Sequence, residues 1–168
     1  KTISRDSKVD WAIPLSLGDS HKGFPVLGTN SDYFKYFRYG QKKTLEFTTG
    51  KPFEQIFDVV IGAEIAKQLK YNVGDKIVLS HGIHKQSLQK HDEYPFQIMG
   101  ILEPTGTPVD RTVHIRLEGM EVIHVGWQNG VQIFKNKMPK KEFTNSGVEP
   151  KAITAIFVGL KSKLATFS

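Results

Sequence analysis

Residues 95–103 read Pro-Phe-Gln-Ile-Met-Gly-Ile-Leu-Glu. In an extended chain Phe96, Ile98, Gly100 and Leu102 share one face, and Gln97, Met99 and Ile101 the other. Both faces are largely apolar, which predicts a central strand. A different period governs residues 61–69, where Ile61, Ile65 and Leu69 recur at helical spacing while Glu64, Lys67 and Gln68 lie off the stripe. That pattern predicts a helix over 62–69. A short buried strand or lead-in at 58–61 precedes it, and a turn at Asn72-Val73-Gly74-Asp75 leads to a strand at 76–80.

The remaining segments follow the same logic. Residues 9–17 have strand composition, with Pro14 marking an edge or a bulge, and Gly18-Asp19-Ser20 signals a turn. A second strand is expected at 23–29, then a short helix at 32–37 capped by Asn30 or Ser31. Residues 40–57 read as a loop with a short strand at 45–47. Val113, Ile115 and Leu117 alternate, predicting a strand over 111–117; Met120, Ile123 and Trp127 predict a helix within 118–128. Loops are expected at 81–93, 104–110 and 135–142, and a last strand at 153–160. The sum is about six or seven strands and three helices in mixed order. The fold class is therefore α+β: a mixed sheet with a few packed helices, with room in the length for a small second lobe.

Composition narrows the classes. With 39% hydrophobic and 11% aromatic residues in 168, the chain can bury a core, and whole-chain disorder is excluded. It reads as a single domain over residues 1–168. The absence of cysteine excludes a disulfide scaffold, a thiolate zinc site and a cysteine nucleophile. No stretch reaches the roughly 18 apolar residues that cross a bilayer. The sequence starts at Lys1 with neither an initiator Met nor a signal peptide, so an excised fragment is as good an expectation as a whole protein.

The 23 Lys and Arg against 17 Asp and Glu leave a net charge of +6. Lys135, Lys137, Lys140 and Lys141 form one basic loop. It lacks arginine forks and interleaved aromatics, so nucleic acid is not the expected partner. Lipid headgroups or a protein partner fit it better, as does a plain solvated loop. Tyr33, Phe34, Tyr36, Phe37 and Tyr39 form an aromatic cluster. One helix face buries only some of these rings, so Tyr33 and Tyr36 are candidates for the same partner or lipid surface.

His81, His84, His91 and Asp92 are a candidate ligand set for a divalent metal, zinc above all. The plainer reading of the same residues is a solvated loop that binds nothing specific. No nucleophile elbow, His-Glu-x-x-His motif or phosphate-binding glycine loop is present. Asp19 and His21 flank Ser20, but triads are assembled in space rather than from adjacent residues. His114 and His124 read as structural histidines. No catalytic residue and no cofactor is expected beyond that zinc.

The run Val60-Ile61-Gly62-Ala63-Glu64-Ile65-Ala66-Lys67-Gln68-Leu69, then Val73-Gly74-Asp75-Lys76-Ile77-Val78-Leu79, is followed by Phe96-Gln97-Ile98-Met99-Gly100-Ile101-Leu102 and Thr105-Gly106-Thr107-Pro108-Val109-Asp110. Gly28-Thr29-Asn30 and Tyr33-Phe34 precede them. Over roughly residues 9–120 this order resembles the extracytoplasmic core domain of MacB/FtsX-type ABC transporter permeases. The resemblance implies a non-enzymatic periplasmic domain of an inner-membrane protein, lying between its first and second membrane helices. It implies ATP hydrolysis in a separate cognate ATPase, a second permease copy or paralogue, and a periplasmic or outer-membrane protein partner. The expected role is coupling ATP-driven helix motion to export, lipoprotein transfer or a partner. The histidine and lysine loops depart from the family pattern, and a metal-binding or metal-sensing module on the same fold is the alternative. The family usually continues beyond the last strand, so the C-terminal part of the domain is expected to be incomplete.

Overall fold

A computed structural model describes residues 6–81, 94–124, 127–128, 131–132 and 153–162. Its strands are β1 (Val9–His21), β2 (Phe24–Thr29), β3 (Phe47–Gly50), β4 (Asp58–Ile61), β5 (Lys76–Ile77), β6 (Ser80–His81), β7 (Phe96–Leu102), β8 (Val113–Arg116), β9 (Trp127–Gln128), β10 (Val131–Gln132) and β11 (Ala155–Leu160). The helices are α1 (Asp32–Tyr36), α2 (Ala63–Leu69) and α3 (Leu117–His124), with a 3-10 turn at Pro108–Arg111.

Nine strands form one mixed sheet in the order β11-β1-β2-β8-β4-β7-β3, with β5 paired to β7 and β6 to β1. The β2–β8 and β4–β7 pairs are parallel and the others antiparallel. Strands β9 and β10 make a separate two-stranded sheet. The expected α+β class is what the chain adopts.

Each face of the main sheet carries its own core. Val26, Val59, Ile61, Ile98, Val113 and Ile115 join Ile65 of α2 and Met120 and Ile123 of α3 on one side. Ile13, Leu15, Leu27, Val60 and Leu102 join Tyr33 and Phe34 of α1, with Leu45 and Phe53, on the other. Val59 and Val60 thus serve opposite cores, as a strand buried on both faces requires. Each fully buried aliphatic side chain contributes roughly 2–3 kcal/mol of transfer free energy.

Of the four register shifts in the sheet, two redirect the side chains that matter here. Opposite β4, Val59 pairs with Ile98 but Val60 pairs with Gly100, so Met99 is the extra residue. Beyond it the faces exchange: Ile101 joins Ile98 in one core and Leu102 enters the other. In β1 the pairing with β2 slips between Leu17 and Ser20. Gly18-Asp19-Ser20 is therefore a bulge inside a 13-residue strand, not the turn that its composition suggests.

Other boundaries differ for local reasons. The strand expected at 45–47 lies at Phe47–Gly50, because Leu45 is drawn into the core beneath α1. The strand expected at 76–80 splits into β5 and β6, which pair with different neighbours. Strand β8 ends at Arg116, and Leu117 opens α3 by packing into the helix–sheet interface. The helix expected to reach 128 ends at His124, and Trp127 belongs to β9. Neither Asn30 nor Ser31 caps α1 through its side chain; the Asn30 carbonyl accepts from the Tyr33 N–H instead.

Candidate functional site

The first and last described strands in sequence, β1 and β11, pair antiparallel, with Val9 opposite Leu160. The Lys161 N–H donates to the Lys8 carbonyl at 3.0 Å, and its Nζ donates to the Ser7 carbonyl at 2.8 Å. Residues 153 positions apart in sequence therefore leave the sheet side by side. Gly159 permits this arrangement. It lies opposite Trp11, and a Cβ at Gly159 would collide with the indole ring.

Trp11 in turn stacks on Tyr36 at the end of α1, with centroids 5.2 Å apart and planes 13° from parallel. Phe37 stacks on Phe157 of β11 at 6.1 Å. Basic groups interleave with these rings. Lys35 Nζ sits 4.6 Å from the Tyr36 ring centroid, a cation–π distance. The hydrogen bond to the Tyr36 hydroxyl, with the nearby carboxylates of Asp32 and Asp10, holds the Lys35 pKa above its ordinary value. Arg38 donates from one guanidinium nitrogen to the Lys35 and Phe37 carbonyls at 2.7 and 2.8 Å. Tyr39 and Lys43 exchange backbone hydrogen bonds at 3.1 and 2.9 Å, closing a small loop that also carries Lys42.

Lys8, Lys35, Arg38, Lys42, Lys43 and Lys161 are all exposed, against the acidic side chains of Asp6, Asp10 and Asp32. Apolar exposure concentrates on the same margin of the sheet. Of six exposed large hydrophobics among the described residues, Leu17, Ile153, Phe157, Val158 and Leu160 lie on β1, β11 or the residues leading into β11. Aromatic, aliphatic and cationic groups are thus all exposed along this margin.

A second, interior cluster lies at the β1 bulge. The bulge turns Asp19 onto the α3 side of the sheet, where it is 1% exposed. His124 Nε2 is 3.4 Å from Asp19 Oδ2, and its Nδ1–H donates to the Met120 carbonyl at 2.6 Å. Two residues on, His21 donates through Nδ1 to the Val78 carbonyl at 2.8 Å, and its Nε2 lies 3.0 Å from the Tyr71 hydroxyl. Burial pushes the His21 pKa down, against the pull of the Val78 bond. His81 sits in β6 directly opposite Asp19 in the ladder.

The residues singled out from sequence separate clearly. Tyr33 is buried at 3% exposure, stacked on Phe37 at 4.9 Å and beside His114 at 5.3 Å, so it belongs to the core and not to a partner surface. The cause is the helical turn of α1, which aims Tyr33 and Phe34 inward and leaves Lys35 and Tyr36 at the margin. Tyr36 lies half-buried in the surface just described. Of the histidine set, the backbone of His81 is in β6; His84, His91 and Asp92 lie outside the described residues. Lys135, Lys137, Lys140 and Lys141 also lie outside them. Among the described residues, no group of three or more His, Asp or Glu is placed to hold a metal.

Sequence reasoning missed Lys35, Arg38, Lys42, Lys43 and Trp11. The signal for the first four was present in the run 35–43, where basic and aromatic residues interleave. Trp11 and Phe157 join them only through the β1–β11 pairing.

The chain matches the MacB-like periplasmic core domain family over residues 2–163. It belongs to that family. Solved structures agree on the fold. The extracellular domain of the noncanonic ABC-type transporter YknZ from Gram-positive bacteria aligns at a TM-score of 0.50 and 13% identity, covering 94% of this chain and 68% of that one. A domain of a protein classed as a permease from Porphyromonas gingivalis aligns at 0.50 and 13% identity, covering 95% of this chain and 64% of that one. The chain thus spans about two thirds of the length of these structures. No curated protein matches the sequence. As a MacB-like periplasmic core domain, the chain is the periplasmic part of a membrane ABC transporter permease. No helix among the described residues is long and apolar enough to cross a membrane.

Proposed function

We propose that this MacB-like domain is non-catalytic and is inserted between two adjacent membrane helices of its permease. There it couples ATP-driven helix movement to export, lipoprotein transfer or the movement of a periplasmic partner. ATP hydrolysis belongs to the cognate ATPase, and a second permease copy or paralogue completes the transporter. The observation that carries this reading is the pairing of Lys8 with Lys161. Chain segments leading from these points toward the two membrane helices would leave the domain side by side. A displacement of either helix would load β1 or β11, and the nine-stranded sheet would pass it on as one body.

The chain has no cysteine, so one introduced at the exposed Lys51 reports on the domain without background from it. In the whole permease, Lys51→Cys should react with a membrane-impermeant maleimide from the periplasmic side; reaction only after lysis would overturn the placement. Replacing residues 9–160 by a short flexible linker should leave ATP hydrolysis intact and abolish transport. Undiminished transport would overturn the coupling role.

A further inference from the structure

We propose that the surface built by α1, the loop after it and the β1–β11 margin rests on anionic lipid headgroups. This builds on the reading that Lys8 and Lys161 lie next to the membrane, and names what the adjoining surface touches. Three observations converge on it. The first is continuity: Trp11 lies two residues beyond Val9, which pairs with Leu160, and it stacks on Tyr36, so α1 stands beside the crossing. The second is charge complementarity. Six exposed cations, Lys8, Lys35, Arg38, Lys42, Lys43 and Lys161, outnumber the acids Asp6, Asp10 and Asp32. The third is the company these cations keep. Lys35 lies over Tyr36, Arg38 is tied to the carbonyls of Lys35 and Phe37, and Phe37 stacks on the exposed Phe157.

A folded protein partner would be expected to bury an apolar centre depleted of lysine. Here the lysines are interleaved with the rings. Amphipathic rings at the headgroup level with basic groups reaching phosphates are what a bilayer–water boundary selects. Contact there would hold the sheet at a fixed height above the bilayer, so that helix movement tilts the domain instead of merely lifting it.

The test uses the 168-residue chain and sedimentation with vesicles at low ionic strength. The chain should co-sediment with phosphatidylglycerol vesicles and not with phosphatidylcholine vesicles, and release as salt is raised. The triple variant K35Q/K42Q/K43Q should lower the partition coefficient about a hundredfold, at about fivefold per lysine. The pair Lys67→Gln and Lys70→Gln, on and just after α2, should leave it unchanged. Absence of binding to phosphatidylglycerol would overturn the proposal, as would equal loss in the α2 pair. Neither result would alter the expected labelling of Lys51→Cys, so this contact and the periplasmic placement fail separately.

Discussion

Asp19 and His124 face each other at 3.4 Å across the boundary between β1 and α3. A regular strand would send Asp19 to the opposite core with Leu15 and Leu27; the bulge after Leu17 turns it beneath α3 instead. Burial of the His124 ring lowers its pKa, but the hydrogen bond and charge of Asp19, helped by the Met120 carbonyl and Glu121, together raise it, and the net direction is up. The folded state therefore binds the His124 proton more tightly than the unfolded state does. The stability this gives is fully present below the ordinary histidine value of about 6.5 and fades as pH rises through the raised value. Asp19→Asn should cost about 2 kcal/mol in urea melts at pH 6, with the difference from the parent chain narrowing toward pH 9. A gap that widens with pH would contradict the pairing.

His114 should act in the opposite sense. It is fully buried between Tyr33 and Phe34, its Nδ1–H donates to the Val60 carbonyl at 3.3 Å, and burial pushes its pKa down to about 4. Its Nε2 has no hydrogen-bond partner among the described residues, so nothing there stabilises a second proton. Stability should be full above the ordinary value and fall as pH drops toward 4. The interval between 6.5 and about 4 corresponds to about 3 kcal/mol when fully developed. His21, also lowered by burial, adds to the same trend. The variant His114→Phe should flatten the loss measured by chemical denaturation between pH 7 and 4.5.

Asp110 organises the loop that packs on α2. Its carboxylate accepts from the Thr105 N–H and hydroxyl, both at 2.7 Å, and from the Gly106 N–H at 2.8 Å. Asp110→Ala would leave these donors without their acceptor and should cost about 2–3 kcal/mol in thermal or urea unfolding. Arg111, which bridges to Glu64 of α2, offers a contrast. Both groups are substantially exposed, and Arg111→Gln should cost less than about 1 kcal/mol.

Close approach, not flexibility, explains Gly62. A Cβ there would strike the backbone of Val109 and Asp110, the 3-10 turn against which the start of α2 is seated. Backbone cannot rotate away as a side chain can, so Gly62→Ala should destabilise by about 2–4 kcal/mol. Gly18, in the β1 bulge, has open space where a Cβ would go, and Gly18→Ala should stay within about 0.5 kcal/mol. Comparable costs at the two sites would rule out this account.

The resemblance of residues 60–79 and 96–110 to the MacB-type pattern was legible because that pattern is local. Short-range periods specify β4, α2 and β7, and the glycine and aspartate positions of the turns are tied to their neighbours. Two kinds of feature were not legible. Tyr33 looked like half of a surface pair with Tyr36, yet which ring of a five-residue helix turns inward depends on the sheet beneath it. Gly18-Asp19-Ser20 has turn composition, and only the opposing strands β2 and β6 hold it extended as a bulge.

By itself the sequence determined the element types, the apolar stripe of α2, the two-sided burial around β4 and β7, and the family. Those properties follow from period and composition within a few residues. Tertiary structure alone decided which core receives Ile101 and Leu102, that Asp19 meets His124, and that Lys8 meets Lys161. The physical reason is common to all three. A single inserted residue exchanges the faces of a strand, and a strand pair joins residues from opposite ends of the chain, while the local sequence of neither partner records the other.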